Sequence, residues 1–153
     1  MKVEGEYTFD GPRETVWDLL LDPEVLSRAL PGNQKLELTE PDRYEGTMQV
    51  QIGPVTAGVF SVSVTVGDKV HPESYTMSVE GRGGIGFTRG TATVRLEAPE
   101  PERTLMKYEA SLQIGGRVAS VGQRLLDSVG KSLTRHGLES LSRELQQRIA
   151  DAT

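Results

Sequence analysis

The sequence predicts an α+β domain in which one curved antiparallel sheet wraps around a long C-terminal helix. Three observations predict it. Residues 116–150 carry Val118, Val121, Leu125, Leu126, Val129 and Leu133 at helical spacing, with Gln123, Arg124, Asp127, Lys131 and Arg135 between them. Nearly everything before that stretch alternates apolar and polar residues in short runs separated by turn residues. A helix with one apolar stripe and a sheet with one apolar face each need a cover, and each can cover the other. At 1.5 Å per residue such a helix would run about 50 Å, longer than a small domain is wide.

The elements follow in order. Val3, Tyr7 and Phe9 alternate with Glu4, Glu6 and Thr8 and predict the first strand. Asp10-Gly11-Pro12 then predicts a helix start, because Pro suits a first helical position whose N–H would be unpaired anyway. Val16, Trp17, Leu20 and Leu21 give that short helix its buried side. Asp22-Pro23-Glu24 repeats the signal for a second short helix bearing Val25, Leu26 and Leu30, ended by Pro31-Gly32. From Leu36 onward, clean alternation sets Tyr44, Met48, Val50 and Ile52 on one face, and Gly53-Pro54 predicts a turn. Phe60, Val62, Val64 and Val66 follow, a turn at Gly67-Asp68 and His71-Pro72, then Tyr75, Met77 and Val79. After the glycine-dense run Gly81 to Gly90 come Ala92, Val94 and Leu96, a turn over Pro99 to Glu102, and Met106, Tyr108, Ala110, Leu112 and Ile114. The expectation is an antiparallel meander of seven strands, with two short helices between strands one and two, in one domain over residues 1–153.

Composition excludes several function classes. The chain of 153 residues carries a formal charge of −5, which argues against a dedicated nucleic-acid binder. It has no cysteine, so disulfides, thiolate catalysis and thiolate metal sites are ruled out. No apolar run approaches the ~20 residues of a membrane span, and no signal peptide opens the chain, which points to the cytoplasm.

Aromatics make up only 5% of the chain, and Gly46, Gly58, Gly86, Gly90, Ala92 and Ala110 fall in phase with the apolar face. Interiors pack to near-crystalline density, so such small residues either let the sheet bend or leave a hollow. A hollow lined by Met48, Phe60, Met77, Phe87, Val118 and Leu125 would suit an apolar ligand. Leu26, Gly122 and Val129 join that candidate set, with Thr88 as a polar contact. Trp17 reads first as a plug between helix one and the sheet, and second as a contact at the cavity mouth. In the long helix, Gly122, Gly130 and Gly137 each cost about 1 kcal/mol against Ala, and with Ala119 they form a smooth edge. The stripe also changes azimuth: Leu138, Leu141, Leu145 and Ile149 point away from Leu125, Val129 and Leu133. Packing of that distal third on the short helices or the sheet edge is preferred over a partner surface.

Familiar chemical motifs do not fit. Gly81-Arg82-Gly83-Gly84-Ile85-Gly86 matches G-x-G-x-x-G, but strand-like residues follow where a dinucleotide site needs a helix. Gly130-Lys131-Ser132 mimics the end of a P-loop, yet Leu125 stands at the first glycine and the segment lies inside the helix. His71 and His136 are the only histidines, with no paired spacing for a metal, and no strained nucleophile turn is visible.

The segment Pro12-Arg13-Glu14-Thr15-Val16-Trp17-Asp18-Leu19-Leu20-Leu21-Asp22-Pro23-Glu24-Val25-Leu26 resembles the helical region of START-like proteins and polyketide cyclases, whose fold is the helix-grip. Leu30-Pro31-Gly32, Gly53-Pro54-Val55 with Ala57 and Phe60, and residues 115–122 (Gly-Gly-Arg-Val-Ala-Ser-Val-Gly) together resemble the CoxG family of carbon monoxide dehydrogenase subunits. The resemblance spans the whole chain. It implies a non-catalytic accessory role beside a molybdenum hydroxylase, a quinone-like or lipid-like ligand, no tightly bound cofactor, and contact with the inner membrane face. Asn33 stands where many relatives have a cysteine, and the chain stops at Thr153 without the apolar anchor that some carry, so no autonomous membrane anchor is expected. Two other readings compete. One is a cyclase- or hydrolase-like enzyme with titratable groups in the same cavity, signalled by an inward His136 or Arg82 beside a carboxylate. The other is an interaction module docking through Leu138, Leu141, Leu145 and Ile149.

Overall fold

A computed structural model describes residues 1–30, 35–52 and 56–152, with the backbone alone at 56 and 57. Pro31-Gly32, Asn33 and Gly53-Pro54-Val55 lie outside the described residues. The chain runs β1 (Lys2–Phe9), α1 (Arg13–Leu21), α2 (Pro23–Ala29), β2 (Leu36–Glu40), β3 (Arg43–Ile52), β4 (Thr56–Val70), β5 (Ser74–Gly83), β6 (Gly86–Glu100), β7 (Arg103–Gly115), a short 3-10 helix (Arg117–Val121) and α3 (Gln123–Asp151). All seven strands join one antiparallel sheet in the order β1-β7-β6-β5-β4-β3-β2, so the meander is closed by the first strand pairing with the last. The expected sheet, the two inserted helices and the terminal helix are all present.

Local chemistry explains the joints. Asp22 caps α2 by accepting from Glu24 N at 3.0 Å, with Pro23 at the first position. Gly11 fits at the start of α1 because the ends of Leu145 and Ile149 on α3 pack where a side chain would stand. Its carbonyl accepts from the fully buried Thr104 Oγ1 at 2.8 Å, a tie between β7 and the start of α1 that pattern reading did not foresee. β5 and β6 run through most of the glycine-dense stretch and turn at Gly84-Ile85, so Gly81 to Gly86 is a hairpin tip and no nucleotide loop. At Gly46 the neighbouring Lys35 carbonyl and Leu36 Cα take the place of a side chain, and at Gly90 the Ser111 carbonyl and Leu112 Cα do the same. Those two glycines therefore serve close strand approach and sheet curvature. Gly58 is filled over by Ile85, and Gly86 by the Gly115 backbone and Val118.

The long terminal helix is shorter than its periodicity predicts. It begins at Gln123, because Gly122 sits at φ +99°, ψ 151°, a conformation helices do not contain. The preceding residues form the 3-10 helix, which folds back so that Val118 N donates to the Ile85 carbonyl at 2.7 Å. Gly122 thus lies outside α3, while Gly130 and Gly137 lie within it. Gly130 lacks a side chain where Met1 Cε lies; Gly137 faces open space.

The change of azimuth along α3 divides the interior in two. Leu138, Leu141 and Leu145 pack with Phe9, Val16, Leu19 and Val25 in the main core, between the sheet and α1 and α2. Phe9, Val16, Leu19 and Leu145 are completely buried, each contributing about 1.5–3 kcal/mol of transfer free energy. The distal third of α3 is further tied to the short helices by charge. Arg28 Nε and Nη2 donate to the two Glu144 carboxylate oxygens, and Arg148 Nη2 donates to Asp22 Oδ2 at 2.9 Å. The Arg28 hydrogen bonds hold the Glu144 carboxyl below the usual carboxylate range. This packing removes the apolar stripe from solvent, so it is no free docking face. A second, smaller cluster holds Val50, Ile52, Phe60, Val118 and Leu126 beneath the first half of α3.

Candidate functional site

Neither short helix covers that second half of the sheet. Strand residues in phase with the interior meet a single helix there, with Ala110 between the larger side chains, and the gap is not filled. A cavity of about 280 Å³ results, walled by Met48, Val50 and Ile52 of β3, Phe60 of β4, Phe87 and Thr88 of β6, Ala110, Leu112 and Ile114 of β7, and Leu126, Val129, Gly130, Leu133 and Thr134 of α3. Met1 and Val3 of the first strand and Val118 of the 3-10 helix complete the wall.

Of the eleven candidate lining residues, Met48, Phe60, Phe87, Thr88, Val118 and Val129 come together here. Trp17 does not: it stands edge-on to Tyr75 and His71, with ring centroids 5.3 and 5.2 Å away, in the main core. Leu26 and Met77 also pack against that core, because they belong to the end of the molecule that α1 and α2 cover. Gly122 is exposed at the head of α3 and touches nothing within 4 Å. Leu125 packs beside the second cluster while Leu126 takes the wall, a one-residue rotation of the helix face. The pattern missed Val50, Ile52, Leu112 and Ile114 as lining residues, although their alternation had already turned them inward. Of the six small inward residues, only Ala110 borders the cavity.

The chemistry of the wall is apolar. No Asp, Glu, His, Lys, Arg or Tyr side chain lines it. Thr134 Oγ1 is occupied, donating to the Gly130 carbonyl at 2.8 Å. Met1, through its amino nitrogen, donates to the Leu112 carbonyl at 2.8 Å, which holds the first strand across the gap. His136 and Arg82, the side chains that would signal acid–base chemistry, are both exposed. The buried ionisable groups lie in the other half: burial pushes the Tyr75 phenol well above its ordinary range, and burial with nearby Asp42 raises Tyr44, whose hydroxyl donates to the Leu21 carbonyl at 2.6 Å. A larger groove of about 770 Å³ runs alongside, between β1 and α3, but Lys2, Glu4, Glu6, Asp127, Lys131 and Arg135 make it a solvated, mixed-charge trough. The apolar cavity, though smaller, is the candidate site, because burial there offers binding free energy that a wet trough does not.

Among the described residues no three His, Asp or Glu side chains stand close enough to share a metal ion, and no helix is long and apolar enough to cross a membrane.

Solved structures share this architecture. A conserved protein from Geobacillus kaustophilus superposes with a TM-score of 0.89 at 32% identity, over 96% of each chain. A START superfamily protein from Mycobacterium smegmatis gives 0.68 at 14% identity, over 95% of this chain and 97% of the other. The Zhui aromatase/cyclase from Streptomyces sp. R1128 gives 0.68 at 14% identity, over 97% and 95%. The last two likenesses establish the START-like helix-grip fold and nothing of activity. No curated protein matches the chain. Residues 5–146 match the family model of the carbon monoxide dehydrogenase CoxG subunit, and by that match over nearly its whole length the chain belongs to the CoxG family.

Proposed function

We propose that this chain is a non-catalytic accessory protein whose apolar cavity holds a lipophilic molecule, quinone-like or lipid-like, and that it works beside a molybdenum hydroxylase of the carbon monoxide dehydrogenase type. One observation carries the binding half: a cavity of about 280 Å³ walled by apolar side chains and lacking any titratable one. Such a wall binds by burying apolar surface, at about 25 cal/mol per Å², and offers no general acid or base. Family membership supports the accessory half and the partner. In this reading the protein is cytoplasmic, without a bound cofactor, and meets the inner membrane face only at its periphery. Native mass spectrometry of the purified chain, followed by solvent extraction and quinone and lipid analysis, tests it. A bound apolar species released on unfolding is the expected result. A ligand-free protein that also takes up no quinone or lipid from vesicles refutes the binding half, and failure to co-purify with a co-expressed molybdenum hydroxylase refutes the partner.

A further inference from the structure

Thr88 lies on β6, turned inward with Gly90, Ala92 and Val94, and pairs with Gly81 on one side and Ile114 on the other. Its Oγ1 is closed off from solvent and has no hydrogen-bond partner, the one side-chain nitrogen or oxygen in that condition among the described residues. A buried hydroxyl left unpaired costs stability, and valine would fill the same space on a strand without that cost. Packing therefore gives no reason for a threonine here. The other hydroxyl on the wall, that of Thr134, is already bonded, so Thr88 holds the cavity's free hydrogen-bonding side chain. Gly81 keeps its flank clear: a methyl group there would come within 3.1 Å of Thr88 Cγ2.

Resting on the ligand-binding reading above, we propose that Thr88 sets the specificity of the cavity, and that the molecule it takes carries one oxygen function, a carbonyl or a hydroxyl, seated at the β6 wall. The rest of that molecule is hydrocarbon, since the lining elsewhere offers no polar side chain that is free. The volume of about 280 Å³ lies at the low end of small-molecule sites and suits a body of one or two fused rings. A plain hydrocarbon of the same shape would leave the hydroxyl unpaired and bind less well.

Titration of the full chain with naphthalene, 1-tetralone and 2-naphthol tests this. The measured quantity is the preference for each oxygenated probe over naphthalene, so that differences in probe solubility cancel between variants. Wild type is expected to prefer an oxygenated probe. Thr88→Val should reduce that preference about tenfold, the equivalent of ~1.4 kcal/mol, and Thr88→Ser should restore it. Loss confined to 2-naphthol would show the hydroxyl accepting, and loss that includes 1-tetralone would show it donating. Thr88→Val should also raise the melting temperature, because the unpaired hydroxyl is gone. An unchanged preference in Thr88→Val overturns the proposal, as does a lowered melting temperature, which would reveal a partner within the protein. If wild type binds naphthalene without preferring oxygen, this inference alone falls; if no probe binds, the ligand-binding reading falls with it.

Discussion

Replacing Ala110 by Leu puts a larger side chain into the cavity wall, between Val3 on β1 and Ala92 on β6. In a filled interior such an enlargement forces neighbours off their rotamers and costs about 1–3 kcal/mol. Here the added atoms meet a gap of about 280 Å³. Roughly three buried CH₂ equivalents at ~0.8 kcal/mol each set a ceiling of about 2.4 kcal/mol, and part of the new side chain stays in reach of solvent, so a gain near 1 kcal/mol is expected. For a domain of this size that is about 2–4 °C in melting temperature. The control is Val16→Leu in the main core, where Val16 is completely buried and the extra methylene should destabilise. Thermal unfolding of both variants, with naphthalene titration of Ala110→Leu, reads the outcome. Opposite signs of stability change and weakened probe binding support the hollow. A loss of stability in Ala110→Leu as large as in Val16→Leu would show that the space is already occupied and would refute the reasoning.

Two further outcomes follow from the geometry. Gly122→Ala and Gly137→Ala both place a methyl group in open space, yet their effects should differ in sign: Gly122 at φ +99° loses about 1–3 kcal/mol to backbone strain, while Gly137 within α3 gains about 1 kcal/mol of helix propensity, as denaturant titration will show. Tyr75, 3% exposed, is held neutral by burial first and by the neighbouring Tyr44 second. Its folded pKa stands above the unfolded value of about 10, so its contribution is complete below pH ~10 and is lost as pH rises, when the unfolded chain releases the proton first. Tyr75→Phe should therefore flatten the alkaline fall in stability by up to about 1.4 kcal/mol per pH unit, leaving the smaller share of Tyr44; an unchanged slope would mean that the phenol ionises freely in the folded protein.

Period alone told which face of each strand turns inward, since side chains alternate along a strand whatever lies opposite. The same holds for Asp22-Pro23 as a helix start and for Gly81 to Gly86 as a hairpin, because caps and turns are settled by residues within a few positions of one another. Which part of the inward face is covered by two layers and which by one depends on contacts between residues far apart in the chain, such as Arg28 with Glu144 and Met1 with Gly130. That is why Trp17, Leu26 and Met77 could be placed on the inner face but not in the correct half of it, and why Leu126 displaces Leu125. The break at Gly122 was hidden for a similar reason: the apolar spacing continues through it, and only the return of Val118 onto Ile85 takes the chain out of the helix. The amino-acid order thus determined the elements, their sequence and their inward faces, while tertiary packing decided where the gap would lie, because a void is a property of what fails to reach across it.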